Sequence, residues 1–152
     1  MGIKIHVQYP GGRAGMPRPQ SVRSWVQAAL RGRRRRASLT VRFVDRREGL
    51  ALNRQWRAKQ APTNVLSFPA QGLEKIAPAE LGDIVVCGPV VAQEAAAQHK
   101  PLRAHFAHLV IHGTLHLLGY DHQHQKEADE MESAETAILG KLGYPDPYTL
   151  SL

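Results

Sequence analysis

The chain contains a single cysteine, Cys87, among its 152 residues. One cysteine excludes an internal disulfide and is typical of proteins from a reducing compartment. No apolar run approaches the roughly 20 residues that a membrane-spanning helix needs. The first residues contain neither a long apolar segment nor a small-residue cleavage site, so no secretory signal is predicted. Together these absences predict a cytoplasmic protein that does not engage a membrane.

Carboxylates are scarce in the first part of the chain. Residues 1–60 contain 15 lysines and arginines but only two acidic residues, Asp45 and Glu48, whereas residues 121–152 contain seven acidic residues and two lysines. The formal net charge of the whole chain is +7. A basic half beside an acidic end favours a polyanionic partner, with nucleic acid first. The alternative is a solvated basic face that has no partner.

The first third of the chain shows the periodicities of a strand, a helix and a second strand. Ile3–Gln8 and Ser38–Val44 alternate apolar and polar residues, as half-buried strands do, and a helical apolar stripe runs from Val22 to Leu30 between them. Ser21 is expected to cap this helix. A strand, a helix and a strand in about 40 residues predict parallel pairing through a right-handed crossover.

The rest of the chain continues with short elements. No long helix fits between the predicted strands Asn64–Pro69 and Gly82–Gly88, so these two are expected to pair antiparallel. The elements follow the order β-α-β-α-β-β-α-α-α, which predicts a single domain over residues 1–152 of the α+β (α/β-like) class. This domain is expected to have a small mixed sheet of about four strands, covered by about five helices. The predicted helices after the first are Glu48–Arg57, Pro89–His99, Pro101–Leu118 and Lys126–Leu139, the last an acidic, solvated helix closed by Gly140.

Three histidines stand four and then six residues apart in HGTLHLLGYDH, His112 to His122. His112 and His116 occupy positions i and i+4 of a predicted helix and therefore share one face. Gly119 ends the helix, so the chain can return His122 towards the first two. Three imidazoles with one open position are the pattern of a catalytic zinc site. One metal ion per chain is therefore predicted at the end of this helix.

Other side chains near this motif leave alternatives open. His124 could replace His122 as the third ligand, although a solvent-facing position is expected. His105 and His108 share the helix face and are expected to pack or to support the ligands. Asp121 could hold the second nitrogen of a ligand histidine or could serve only the turn.

The motif matches the zinc protease pattern H-E-x-x-H-x-x-G-x-x-H at every position except one. The protease has a glutamate in second place, which takes a proton from the metal-bound water, and this chain has Gly113 there. Because glycine has no side chain to accept that proton, hydrolysis of peptide or amide bonds is disfavoured, although the metal site is kept.

Three sequence blocks resemble the YbeY family of bacterial endoribonucleases, also called rRNA maturation factors. They are NRQWRAKQAPTNVLSFP from Asn53 to Pro69, LGDIVV from Leu81 to Val86, and the histidine motif, in the order the family has them. The second block of the family usually reads T-D-V-L-S-F-P, and here Asn64 stands in place of the aspartate. The substitution keeps a turn-forming side chain but removes its charge.

This resemblance implies a metal-dependent endoribonuclease specific for single-stranded RNA, acting in rRNA maturation and ribosome quality control. It implies that His112, His116 and His122 bind Zn²⁺, that His112 also belongs to the catalytic site, and that Arg57 is the functional arginine. An arginine there would stabilise charge on the scissile phosphate. The implied partners are ribosomal RNA or the small ribosomal subunit, with ribosomal proteins and assembly GTPases as further candidates.

Further basic residues are candidate RNA contacts. A run of four arginines follows the first helix, and we expect it to contribute affinity and not chemistry. The candidates are Arg33, Arg34, Arg35, Arg36, Arg54 and Lys59. A second class of function stays open, a ribosome-assembly factor with a structural zinc and little turnover. Zinc is also not distinguished from nickel or another divalent ion by these residues.

Overall fold

The computed structural model describes residues 2–57, 64–70, 79–121 and 123–149, with the backbone alone over residues 53–57. Its helices and strands follow the predicted order, β-α-β-α-β-β-α-α-α. They are β1 (Ile3–Gln8), α1 (Pro19–Leu30), β2 (Ala37–Val44), α2 (Arg46–Arg57), β3 (Val65–Pro69), β4 (Glu80–Cys87), α3 (Gly88–Ala97), α4 (Leu102–Leu117) and α5 (Gln125–Lys141).

The four strands form one mixed sheet in the order β1-β2-β4-β3. Strand β2 pairs parallel with both β1 and β4, so that Val41 stands opposite Val7 on one side and Ile84 on the other. Strand β3 pairs antiparallel with β4, which places Ser67 opposite Ile84. Both predicted pairings, the parallel crossover and the antiparallel neighbour, are therefore confirmed.

Helix α4 is the central helix of the fold. It contacts β3, β4, α1, α3 and α5, and apolar residues surround most of its circumference, as expected for a helix with few solvent-facing positions. The main core includes Trp25, Phe43, Phe106 and Ile111. No helix in the described ranges is both long and apolar enough to cross a membrane.

A smaller core lies on the opposite face of the sheet. It contains Val44, Leu66, Val85 and Cys87, with Leu52 of α2 packed against them. Cys87 is 2% exposed, and burial raises the pKa of its thiol. A buried thiol with a raised pKa has little thiolate character, so Cys87 is a packing residue.

Two predicted helix ends are wrong. Helix α1 begins at Pro19, two residues before Ser21, which is buried inside the first turn and is not the cap. Proline is favoured there because the first helical N–H needs no partner within the helix. Helix α5 continues through Gly140, and Gly143, with φ +90°, is the glycine that ends it.

Candidate active site

One face of α4 presents four histidines over successive turns. Ring centroids lie 6.4 Å apart between His105 and His108, 6.3 Å between His108 and His112, and 6.2 Å between His112 and His116. The predicted shared face is therefore present, and it extends two turns beyond the two predicted ligands.

The end of α4 orients His116. The chain turns at Gly119, whose φ is +104°. The N–H of Tyr120 then donates to the carbonyl of Leu115 at 3.1 Å, and that of Gly119 to the carbonyl of His116 at 3.0 Å, as in a Schellman motif. This turn brings the Tyr120 carbonyl to 3.0 Å from Nδ1 of His116. Because a carbonyl can only accept, His116 carries its proton on Nδ1 and Nε2 is its basic nitrogen.

A buried carboxylate orients His112. Its Nδ1 lies 2.8 Å from Oε2 of Glu135 on α5, and Glu135 is completely buried. A carboxylate bound to Nδ1 makes Nε2 the basic nitrogen of this ring too, and strengthens it as a metal ligand. The acceptors at Nδ1 of the two histidines are thus Glu135 and the carbonyl of Tyr120, and both alternatives for Asp121 stay predictions.

The Glu135 carboxylate accepts hydrogen bonds from three side chains. Nε2 of His108 donates to Oε1 at 2.6 Å, and the Tyr148 hydroxyl donates to the same oxygen. Burial raises the pKa of Glu135, but the hydrogen bonds from His108, His112 and Tyr148 outweigh it and lower the pKa from 4.5 to about 2. The stability that the ionised carboxylate contributes is therefore present above about pH 4.5 and is lost as the pH falls towards 2.

Glu135 is the residue that sequence reasoning missed. The acidic stretch of α5 predicts a solvated surface, and Glu127, Glu130 and Glu132 do have exposed side chains. Glu135 instead shares the buried stripe of α5 with Met131, Ile138 and Leu139. A carboxylate at helical spacing within an apolar stripe was the available signal, since buried carboxylates need partners.

Several predicted site residues lie outside what the structure describes. His122 and Lys59 are not described, and Arg54 and Arg57 belong to α2 but their side chains are not described. Within residues 2–57, 64–70, 79–121 and 123–149, no group of three or more His, Cys, Asp or Glu side chains is arranged to hold a metal ion. The described part thus contains two of the three predicted ligands, and the roles of the other residues stay predictions.

The missing protease glutamate has a structural reason. A Cβ on Gly113 would lie 2.8 Å from Cγ2 of Ile84 and 3.3 Å from Oγ of Ser67. The Ser67 hydroxyl donates to the Gly113 carbonyl at 3.3 Å. Glycine at this position lets α4 lie directly against β3 and β4, so a glutamate side chain would collide with the sheet.

The arginine run approaches the histidine motif in space, although the two are distant in sequence. The Arg33 guanidinium lies 5.7 Å from the ring centroid of Tyr120, and its Nε donates to the Tyr120 hydroxyl at 3.2 Å. Arg33, Arg35 and Arg36 are exposed and Arg34 is half-buried. The basic surface therefore begins at the residue whose carbonyl orients His116.

Asn64 forms a hydrogen bond that favours an uncharged side chain at this position. Its Nδ2 donates to Oε1 of Glu94 at 3.1 Å, and the same oxygen lies 2.9 Å from Nε2 of His105. Burial lowers the pKa of His105 even though Glu94 opposes this. An aspartate at position 64 would place a second carboxylate against Glu94, whereas the asparagine amide supplies a donor.

Comparison with known proteins gives the family of this chain. The family model described as Endoribonuclease YbeY matches residues 16–143. Proteins named Endoribonuclease YbeY from Xanthomonas campestris pv. campestris (strain B100) and Xanthomonas oryzae pv. oryzae (strain MAFF 311018) are 55% and 56% identical over 150 residues, which are 96% of this chain and 93% of each relative. One of the same name from Stenotrophomonas maltophilia is 53% identical over the same shares.

A solved structure shares the fold. The solution structure of a Thermotoga maritima protein superimposes with a TM-score of 0.60 and covers 95% of this chain and 99% of its own, at 23% sequence identity. At that identity the likeness concerns the fold alone. The family match and the close relatives go further, and together they show that this chain belongs to the YbeY family of endoribonucleases.

Proposed function

We propose that this protein is a zinc-dependent endoribonuclease that cleaves single-stranded RNA in the cytoplasm and acts in the maturation and quality control of the small ribosomal subunit. Membership of the endoribonuclease family supports the RNA substrate. The observation that carries metal dependence is the orientation of His112 and His116. Each has an acceptor on Nδ1, so each has Nε2 as its basic nitrogen.

The donor set fits a divalent metal. His112 and His116 stand one helical turn apart, and His122 is the third ligand in this proposal. Neutral imidazoles suit zinc and neighbouring transition metals. When bound, zinc would lower the pKa of a water to about 7 and polarise a phosphoryl oxygen.

The chain's own residues have separate tasks in this proposal. Glu135 and the Tyr120 carbonyl accept hydrogen bonds from Nδ1 of the two imidazoles and so fix their tautomer and ring orientation. Arg57 holds the scissile phosphate and stabilises the negative charge that develops on it. Gly113 supplies no base, which distinguishes the site from that of the zinc proteases.

The experiment that tests the proposal compares metal-free and metal-loaded protein. Protein purified without a histidine tag is expected to contain about one equivalent of zinc per chain. Cleavage of an unstructured RNA is expected to disappear on treatment with a chelator and to return when zinc is added. Full activity of the metal-free protein would contradict metal dependence. Metal-loaded protein that binds small subunits but leaves RNA intact would favour the assembly-factor alternative.

The arginine run is proposed to bind RNA phosphates. Replacing Arg34, Arg35 and Arg36 with Gln, with Arg33 left in place to keep its hydrogen bond to Tyr120, is expected to flatten the dependence of RNA affinity on salt. Each phosphate that is neutralised on a single strand contributes about 0.7 to the slope of log K against log salt, so the slope falls with each arginine that is removed. The turnover rate at saturating RNA is expected to stay unchanged.

The control for this experiment removes positive charge elsewhere. Lys126 and Lys141 are exposed on the acidic helix α5, and a variant with both replaced by Gln is expected to keep the salt slope of the wild type. If the arginine variant also keeps the wild-type salt slope, the arginine run is a solvated surface that does not bind RNA.

A further inference from the structure

Hydrogen bonds hold the segment that follows α5 against the rest of the fold. The Lys100 ammonium donates to the Pro147 carbonyl at 3.1 Å. The Asp146 carboxylate accepts from the backbone N–H of Tyr148 at 2.8 Å and from the Thr136 hydroxyl at 3.5 Å. These bonds place Tyr148 over Glu135, and the described part of this segment extends to Thr149.

The Tyr148 hydroxyl reaches a fully buried charge from the protein surface. Tyr148 is 45% exposed, and its ring meets that of His108 edge-on, with centroids 5.4 Å apart. Its hydroxyl nevertheless donates to Oε1 of Glu135. Because so much of the residue is exposed, its packing contributes modestly, and the hydrogen bond from its hydroxyl is its distinctive feature.

The two oxygens of Glu135 divide the donors between them. Oε1 receives His108 and Tyr148, and Oε2 receives His112. Donors on Oε1 set the rotation of the carboxylate plane and hence the direction in which Oε2 meets Nδ1 of His112. Removal of one donor from a fully buried carboxylate leaves its charge poorly solvated, and the carboxylate is then expected to shift towards its remaining partners.

We propose that Tyr148 is a positioning residue of the metal site: by fixing Glu135, it holds His112 in the tautomer that binds the metal, so that the segment after α5 sets the metal affinity of the site. This inference rests on the proposed function, since it takes His112 to be a ligand. Removal of partners behind a ligand histidine weakens metal binding by about 10–100-fold.

The same segment provides a matched control. The Tyr144 hydroxyl accepts from Nε1 of Trp25 at 3.3 Å and from Nε of Arg103 at 2.9 Å. It therefore has two hydrogen-bond partners, as the Tyr148 hydroxyl has in Glu135 and in Nε2 of His108, 3.2 Å away, but the partners differ. Tyr144→Phe and Tyr148→Phe each remove one hydroxyl from the same segment, and only the second removes a donor to Glu135.

The test measures zinc affinity by competition with a chromophoric chelator for the wild type and both variants. We expect Tyr148→Phe to bind zinc about tenfold more weakly, at the lower end of the range for such partners, and Tyr144→Phe to bind as the wild type does. Thermal melts of the metal-free proteins show whether each variant is folded, which separates a change in affinity from a change in stability.

A second measurement needs no metal. Nitrogen-15 NMR of the metal-free protein reports the tautomer of His112, which is expected to be Nδ1–H in the wild type and in Tyr144→Phe and to become mixed in Tyr148→Phe. Wild-type protein that binds no zinc would overturn the proposed function. Wild-type protein that binds zinc, together with a Tyr148→Phe variant of equal affinity and unchanged tautomer, would overturn only the inference about Tyr148.

Discussion

Replacing His116 with alanine is expected to give a folded protein that purifies without zinc and does not cleave RNA. A site with three protein ligands and one open position loses a third of its protein donors with this change. His116 is also the proposed ligand that the turn at the end of α4 orients, through the Tyr120 carbonyl. The measurement is elemental analysis together with cleavage of an unstructured RNA by the same preparation.

Thermal melting separates loss of metal from loss of fold. Zinc that binds only the folded state stabilises it by about 2.7 kcal/mol at a free concentration 100 times the Kd. Added zinc is therefore expected to raise the Tm of the wild type and to leave that of His116→Ala unchanged. The control is His6→Ala, which removes an exposed histidine from β1 and is expected to keep both metal and activity. A His116→Ala protein with one equivalent of zinc would exclude His116 as a ligand.

Arg57→Ala is expected to keep the fold and the metal but to cleave RNA about 10²–10³-fold more slowly, the usual effect when one donor to the transition state is removed. Arg57→Lys is expected to recover only part of the rate, because an ammonium cannot reproduce the planar, bidentate guanidinium. Single-turnover cleavage measures the chemical step, and a thermal melt with a zinc assay on the same samples shows that site and fold are intact.

The control for Arg57 lies on the same helix. Arg47 is exposed in the first turn of α2, so Arg47→Ala removes an equal charge from that helix and is expected to cleave at nearly the wild-type rate. If Arg57 instead anchors its helix, Arg57→Ala would melt early and lose activity by unfolding. A folded, zinc-loaded Arg57→Ala protein with wild-type cleavage would remove Arg57 from the site.

The strand pairings were predictable because connection length restricts them. The crossover through α1 allows β1 and β2 to lie parallel, and the short connection between β3 and β4 requires an antiparallel pair. Helix ends were less predictable. Ser21 and Gly140 are good terminal residues, but each lies inside a helix whose neighbouring proline or glycine sets the boundary.

Part of the candidate site was also accessible from local rules. The separation of four residues between His112 and His116 specifies a shared helix face wherever the helix lies. The glycine at 119 permits the turn that follows. By contrast, Asn64 looked like a simple departure from the family pattern, and its hydrogen bond to Glu94 depends on how β3 and α3 are brought together.

The sequence by itself determined the order of the elements, the sheet pairings and the helix face that His112 and His116 share, because all of these follow from periodicity and short-range geometry. Only the tertiary structure decided that Glu135 and Tyr148 stand behind His112, that Arg33 contacts Tyr120, and that position 113 must be small. His112 and Glu135 are 23 residues apart. Their hydrogen bond depends on the packing of α5 against α4, which no local pattern specifies.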